Sequence, residues 1–403
     1  MCRRRIALSA LALLLLAPAA PGAADGDFDR FLVAYRTAEP AARGALAAEW
    51  AARRQRSGGL PIAGEDGDVV FLYLGSGEED GVRLVGDFRS RSFHDPYWGE
   101  EGVAMQAAAP GGGLYFARLE VQPDARLDYA FAIDGERRPD PLNPRTIFSG
   151  VGGGTVSELV MPGYRFDPAT RHEEAVPSGA LHPVDEPWAE PSVTVYLPPG
   201  FDRGRRYPVV YTADGSAWKE HLVLPATLDA LIAAGRIEPL LAVMIDSAPD
   251  RHRWYSYDPA FLAYLERVVR WVDGRYPTRA EPASRLHAGT SAGGRASVYA
   301  ALERPDLFAR AGAMSPSFHG PLSYWQPWFA GERPPPAGLE LWLSAGTYEG
   351  VIAAEVEAAA ELFRRWHLPV TTVTTHEGHS FGAWRNLVAR MLEHFFPANR
   401  PPR

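Results

Sequence analysis

Leu286-His287-Ala288-Gly289-Thr290-Ser291-Ala292-Gly293-Gly294 is the stretch on which the reading of this chain turns. Its first three residues form a short apolar strand, and the residues from 292 to 302 have helical character. Between them Gly289, Ser291 and Gly293 make a Gly-x-Ser-x-Gly turn from strand into helix. Small flanking residues let a backbone turn this sharply and present the serine hydroxyl. The N–H groups at the helix start then face any negative charge that develops there. The bare pattern arises by chance in 403 residues; the strand before it and the helix after it give it weight. The plain alternative is a glycine-lined turn with an inert serine.

Around this turn the sequence alternates. Strands are expected over 192–197, 207–212, 240–245, 286–288, 339–344 and 370–375. Helices are expected over 222–234, 261–276, 292–302, 351–366 and 383–396. The apolar run Leu240 to Ile245 has the composition of a strand buried on both faces. Strands alternating with helices predict a mostly parallel sheet covered on both sides.

Upstream the rhythm differs. Residues 69–161 read as short strands and turns, with Asp134-Gly135 a hairpin signal. About ninety residues of this kind predict a β-sandwich. Before it, Phe28, Phe31, Leu32, Tyr35, Leu46 and Trp50 recur near helical spacing, so two short helices broken at Pro40 are expected. The expected organisation is a signal segment over 1–24, a helical lead-in and linker over 25–64, a β-sandwich over 65–165, a connector over 166–190 and an α/β domain over 191–398.

Arg3, Arg4 and Arg5 followed by the apolar run Ile6 to Ala17, Pro18, Pro21 and small residues have the form of a cleaved export signal. Cleavage near Ala23 or Ala24 predicts a periplasmic or secreted protein. It removes three arginines and no acid, taking the net charge from −8 to −11. The only cysteine, Cys2, leaves with the signal, so disulfides, thiolate metal sites and cysteine nucleophiles are excluded from the mature chain. The acidic balance argues against nucleic acid as a partner, because phosphate binding needs a basic footprint. No later stretch is apolar and long enough for a membrane helix, and oligomeric state is not legible.

A nucleophilic serine needs a base and an acid, and in this architecture they follow it in the order acid, then histidine. Downstream histidines are His319, His367, His376, His379 and His394. His379, in Glu377-Gly378-His379-Ser380, falls in the loop between the last strand and last helix and is the expected base, with His376 the alternative. Glu349 follows the strand over 339–344 and is the expected acid. Its structural alternative is a first-turn helix carboxylate, and Asp246 is the alternative acid. The segment Met314-Ser315-Pro316-Ser317-Phe318 holds no competing carboxylate. Oxyanion donors are expected from the backbone N–H groups of Ala292 and of Ser216, in the loop Thr212-Ala213-Asp214-Gly215-Ser216. Asp214, Trp218, Arg253, Trp254 and Arg295 are candidate substrate contacts. Phe318, Tyr324, Trp325 and Trp328 also suit a pocket, and Phe88, Tyr97 and Trp98 in the β-sandwich suit sugar stacking; aromatic packing is the alternative for all of them.

With these residues in view, the chain from about 190 onward resembles the esterase D family of α/β-hydrolases, in its enterochelin esterase-like branch. The resemblance rests on Tyr196-Leu197-Pro198-Pro199-Gly200, Asp214-Gly215, Ile245-Asp246, Arg253, Gly289 to Gly294, Gly346-Thr347-Tyr348-Glu349 and Glu377-Gly378-His379. Val85-Gly86-Asp87-Phe88 and Asp140-Pro141-Leu142-Asn143-Pro144-Arg145 are similar to signatures of the early-set sandwich that precedes the hydrolase in such proteins. The chain departs from the family at Arg253-Trp254-Tyr255-Ser256 and Arg267-Val268-Val269-Arg270. The resemblance implies an α/β-hydrolase fold behind an immunoglobulin-like early-set sandwich, and hydrolysis of carboxylic esters through an acyl-serine without metal or organic cofactor. A ferric catechol siderophore is the implied substrate, any iron being cargo. A carbohydrate or feruloyl-type esterase with a glycan-binding sandwich is the alternative, and a non-catalytic binding protein on a hydrolase scaffold is the third.

Overall fold

A computed structural model describes residues 26–57, 59–89, 102–149, 154–171, 176–318 and 336–398. The segment read as an export signal, Tyr97, Trp98, His319, Tyr324, Trp325 and Trp328 lie outside the described residues.

Two helices lead in, α1 (Gly26–Thr37) and α2 (Pro40–Ser57), the second opening on its proline. They lie on a four-stranded antiparallel sheet whose strand Asp68–Leu74 is central. That strand explains its own composition. Val70 and Leu72 face Phe28, Phe31 and Trp50 of the helices, while Val69 and Phe71 face the second sheet. A strand covered on both faces has no need of polar alternation. The second sheet is antiparallel and centred on Arg126–Ile133, which pairs with Val82–Gly86 and Thr155–Val160. Asp134 and Gly135 have φ of 51° and 82°, the left-handed pair that a tight hairpin requires.

The α/β part is built on eight strands: β1 (Ala180–Pro183), β2 (Val193–Leu197), β3 (Val209–Ala213), β4 (Leu241–Ile245), β5 (Arg285–Thr290), β6 (Arg310–Met314), β7 (Glu340–Gly346) and β8 (Val370–Thr375). Their spatial order is 1-2-4-3-5-6-7-8. β1 and β2 are antiparallel to their neighbours and the rest run parallel. Period-two alternation divides the core. Val209, Tyr211, Leu241, Val243 and Ile245 face one layer, with α6 (Pro259–Arg275) and α8 (Val351–Arg365). Val210, Ala242 and Met244 face the other, with α4 (Leu224–Ala233) and α9 (Phe381–Phe395). α7 (Ser291–Glu303) follows β5 directly and packs in the layer of α6 and α8.

Two details differ from expectation. β1 lies within the stretch read as connector: Ala180-Leu181-His182-Pro183 is exposed throughout and joins the sheet edge by backbone bonds to β2, so it carries no apolar pattern. The helix expected over 222–234 is α4, but a short helix that was not expected, α3 (Gly215–Glu220), precedes it, the two separated by residues 221–223 with Val223 at φ 48°. Among the described residues, no helix is long and apolar enough to cross a membrane.

Candidate active site

Parallel strands β5 to β8 send their following loops to one edge of the sheet, where ligands bind in open α/β folds. Ser291, Ser315, Glu349 and His379 come from these four loops in turn.

Ser291 is the first residue of α7 and holds φ 55°. A non-glycine residue there stores on the order of 1–3 kcal/mol of backbone strain, which persists because the surroundings fix it. The flanking glycines show how. A Cβ on Gly289 would stand 2.3 Å from the carbonyl carbon and oxygen of Gly293. One on Gly293 would be 3.0 Å from Ala213 Cβ and from an Asp214 carboxylate oxygen. The turn therefore closes only with glycine at 289.

Glu349 ends a 3₁₀ turn after β7 and is 2% exposed. Its Oε1 lies 3.8 Å from Nδ1 of His379, which is 7% exposed. That is an ion-pair separation rather than a hydrogen bond, and such contacts commonly tighten when substrate binds. The same oxygen accepts a 2.5 Å hydrogen bond from Ser315 Oγ. Ser315 in turn accepts from Trp384 Nε1 at 2.8 Å, and the Trp384 ring stands edge-on to the His379 imidazole at 4.7 Å. Sequence reading passed over Ser315, having looked there only for a carboxylate. Its left-handed φ of 47° at the end of β6 places the hydroxyl on Glu349.

The alternatives for base and acid are engaged elsewhere. His376 Nδ1 lies 2.5 Å from Asp124 of the sandwich. Asp246 accepts from Ser192 Oγ at 2.6 Å, from the Ser216 N–H at 2.6 Å and from Ser216 Oγ at 2.9 Å. This corrects the expectation for Ser216, whose N–H is occupied by a carboxylate and does not point into an open oxyanion site. Ala292, the second residue of α7, keeps its place at the helix start.

Most of the expected substrate contacts are engaged within the protein. Trp218, on α3, is fully buried in the core. Arg295 is buried, and its guanidinium donates to Tyr255 O at 3.0 Å, Ser317 O at 2.9 Å and Ser256 Oγ at 2.9 Å, a brace between loops. Trp254 packs edge-on against Phe261 and Tyr264. The Arg253 side chain is 82% exposed and 3.8 Å from Asp258. Asp214 is clamped by Arg251 through two 2.7 Å bonds. Phe318 is buried, and Phe88 packs on Phe71 inside the sandwich. Apart from Arg253, which stays exposed, each of these side chains is taken up by packing or by a fixed partner.

A different set of arginines borders open space. A cavity of about 390 Å³ lies where the sandwich, the connector and α9 meet, lined by Arg145, Arg171 and Arg385 with Glu158 and Phe166. It reaches Gly382, three residues beyond His379. Burial pulls the Arg385 guanidinium down from its ordinary range.

Comparison with known proteins places this arrangement. The family model described as "Putative esterase" matches residues 186–395. The endo-1,4-beta-xylanase/feruloyl esterase of Xylanibacter ruminicola is 26% identical over 222 residues, covering 51% of this chain and 29% of that protein. The iron(III) enterobactin esterase of Escherichia coli is 24% identical over 266 residues, covering 61% of this chain and 64% of that protein. The chain thus spans less than two thirds of either relative. The solved ferric enterobactin esterase of Salmonella typhimurium aligns over 85% of this chain and 98% of its own, with TM-score 0.71 and 19% identity, a likeness of fold.

Proposed function

The chain belongs to the putative esterase family, and from that premise we propose that it hydrolyses carboxylic esters through an acyl intermediate on Ser291. His379 Nε2 takes the proton from Ser291 Oγ as that oxygen bonds to the carbonyl carbon. The resulting oxyanion is stabilised by the Ala292 N–H and the start of α7. As the ester C–O bond breaks, His379 returns the proton to the leaving alcohol. Water then repeats the sequence, releasing the acid and restoring the serine. Glu349 orients the imidazole through Nδ1 and stabilises its cationic form. The observation that carries this reading is the strained Ser291 at the strand-to-helix turn, with the Glu349–His379 pair in the loops after β7 and β8.

The substrate class we propose is a ferric catechol siderophore. Two features support it: relatives named as iron(III) enterobactin esterases, and an arginine-bordered cavity beside the histidine loop that suits an anionic ligand. The amino-terminal segment supports export, so hydrolysis takes place outside the cytoplasm. A feruloyl ester is the second reading, favoured by the Xylanibacter ruminicola relative.

The test compares kcat/KM of the purified protein on a ferric tricatecholate trilactone and on methyl ferulate, beside Ser291→Ala. Turnover of the trilactone at least tenfold better than the ferulate, abolished in the variant, is expected. Preference for the ferulate would move the assignment to the second reading. Turnover of neither by folded protein would remove it.

A further inference from the structure

The β-sandwich does more than adjoin the hydrolase. Strand Arg126–Ile133 begins against the loop that carries His379. The Arg126 N–H donates to His376 O at 3.1 Å, and the side chain, fully buried, runs beneath the loop. Nε donates to Glu158 Oε1 at 2.8 Å, Nη2 to Asp128 Oδ1 at 2.6 Å and Nη1 to Ser380 Oγ at 2.9 Å. Ser380 is both the neighbour of His379 and the N-cap of α9.

Close contacts fix the rest of the loop. A Cβ on Gly382 would stand 1.9 Å from Arg126 Nη2, and one on Gly378 would stand 2.1 Å from the Asp87 carboxyl carbon. Asp87 also accepts from the Asp128 N–H at 2.8 Å. Glu377 is buried and accepts from Tyr164, at the end of the sandwich segment, at 2.8 Å. The sandwich reaches the acid loop as well, since the Gln122 N–H donates to Tyr348 Oη at 3.1 Å, one residue before Glu349.

A buried guanidinium between two carboxylates is a poor source of net stability, because desolvation offsets the attraction. Bonded through all three of its nitrogens, the guanidinium nevertheless holds a single geometry. We infer that Arg126 is a positioning residue for the reaction, through which the β-sandwich holds Ser380 and hence the His379 imidazole in register with Ser291. This inference rests on the assignment of His379 as the base. On this account the sandwich is part of the catalytic apparatus rather than an appended binding module.

The test uses the full chain and p-nitrophenyl acetate, a small neutral ester that makes no demand on a remote subsite. The variants are Arg126→Lys, Ser380→Ala, the pair together, Ser380→Thr and His379→Ala. Rates are normalised to active sites by fluorophosphonate titration, and melting is followed in parallel. Arg126→Lys keeps the cation between Asp128 and Glu158, and Ser380→Ala leaves that cluster intact, so the test survives if one variant fails to fold.

The expected result is a fall in kcat of about 10- to 100-fold for Arg126→Lys and for Ser380→Ala, with KM unchanged, since misplacing a reacting group by about an ångström has effects of that size. The double variant should be no slower than the worse single one, and Ser380→Thr should recover most of the rate. Wild-type kcat per active site in both single variants, additive losses, or a change confined to KM would overturn the inference. If His379→Ala itself retains activity, the assignment of the base fails instead, and that outcome is read independently of Arg126.

Discussion

Ser315→Ala is the most informative single change outside the serine and histidine. It removes one hydroxyl that donates to buried Glu349 at 2.5 Å and accepts from buried Trp384 Nε1 at 2.8 Å. A hydrogen bond to a charged group contributes about 1.5–3 kcal/mol and a neutral one about 1 kcal/mol, and both orphaned partners stay out of water. The expected loss of stability is therefore about 3 kcal/mol. Glu349 also loses a tether, so the imidazole is held less well. A fall in kcat of about tenfold, or ~1.4 kcal/mol of transition-state stabilisation, follows. This is far short of the ~10⁴-fold seen when a triad acid is replaced outright. Urea unfolding followed by tryptophan fluorescence gives the first quantity, and p-nitrophenyl acetate hydrolysis per titrated site the second. A variant within about 0.5 kcal/mol of wild type and with unchanged kcat would show that Ser315 does not hold Glu349, and the reasoning would fail.

Three further outcomes are expected. Burial pushes the Glu377 carboxyl up to about 7 from 4.5; the folded state then keeps a proton that the unfolded chain has released, so wild-type stability falls as pH rises from about 4.5 to 7. Glu377→Gln removes that slope and should gain on wild type by on the order of 3 kcal/mol across the window; parallel stability profiles from pH 4 to 8 would contradict this. Gly289→Ala places a Cβ 2.3 Å from the Gly293 carbonyl group, so it should yield protein that is unfolded or inert to fluorophosphonate, and a folded, labelling variant would refute the close-approach argument. Arg145→Ala and Arg385→Ala should raise KM for the ferric siderophore several-fold while leaving p-nitrophenyl acetate turnover near wild type, as removal of a cation from an anion-binding cavity does; equal effects on both esters would remove the cavity from substrate binding.

Local pattern made parts of this protein legible and distance hid others. The turn at Gly289 to Gly294 is read within nine residues, because the sterics that demand glycine act between near neighbours. The parallel sheet is likewise carried by continuous apolar runs such as Leu240 to Ile245. The placing of Glu349 and His379 in loops after late strands follows from chain order. What sequence misses is made across the fold. The Arg126–Ser380 bond spans 254 positions, and nothing in either neighbourhood announces it. Ser315 carries no charge and stands out only through its left-handed backbone. Arginines and aromatics misled for the opposite reason. Arg295, Trp218 and Trp254 have the composition of a pocket, but guanidinium groups also brace loops and aromatic rings also fill cores. Ser216 lies in α3 rather than in a loop, and Asp246, thirty residues on, takes its N–H.

The measurement that bears most directly on the central claim is labelling of the purified protein with a fluorophosphonate, with peptide mapping, beside Ser291→Ala and His379→Ala. The account predicts a single stoichiometric adduct on Ser291 and none on either variant. Folded wild-type protein that takes up no label, or labels at another residue, would contradict it and leave a binding protein on a hydrolase scaffold as the reading of this chain.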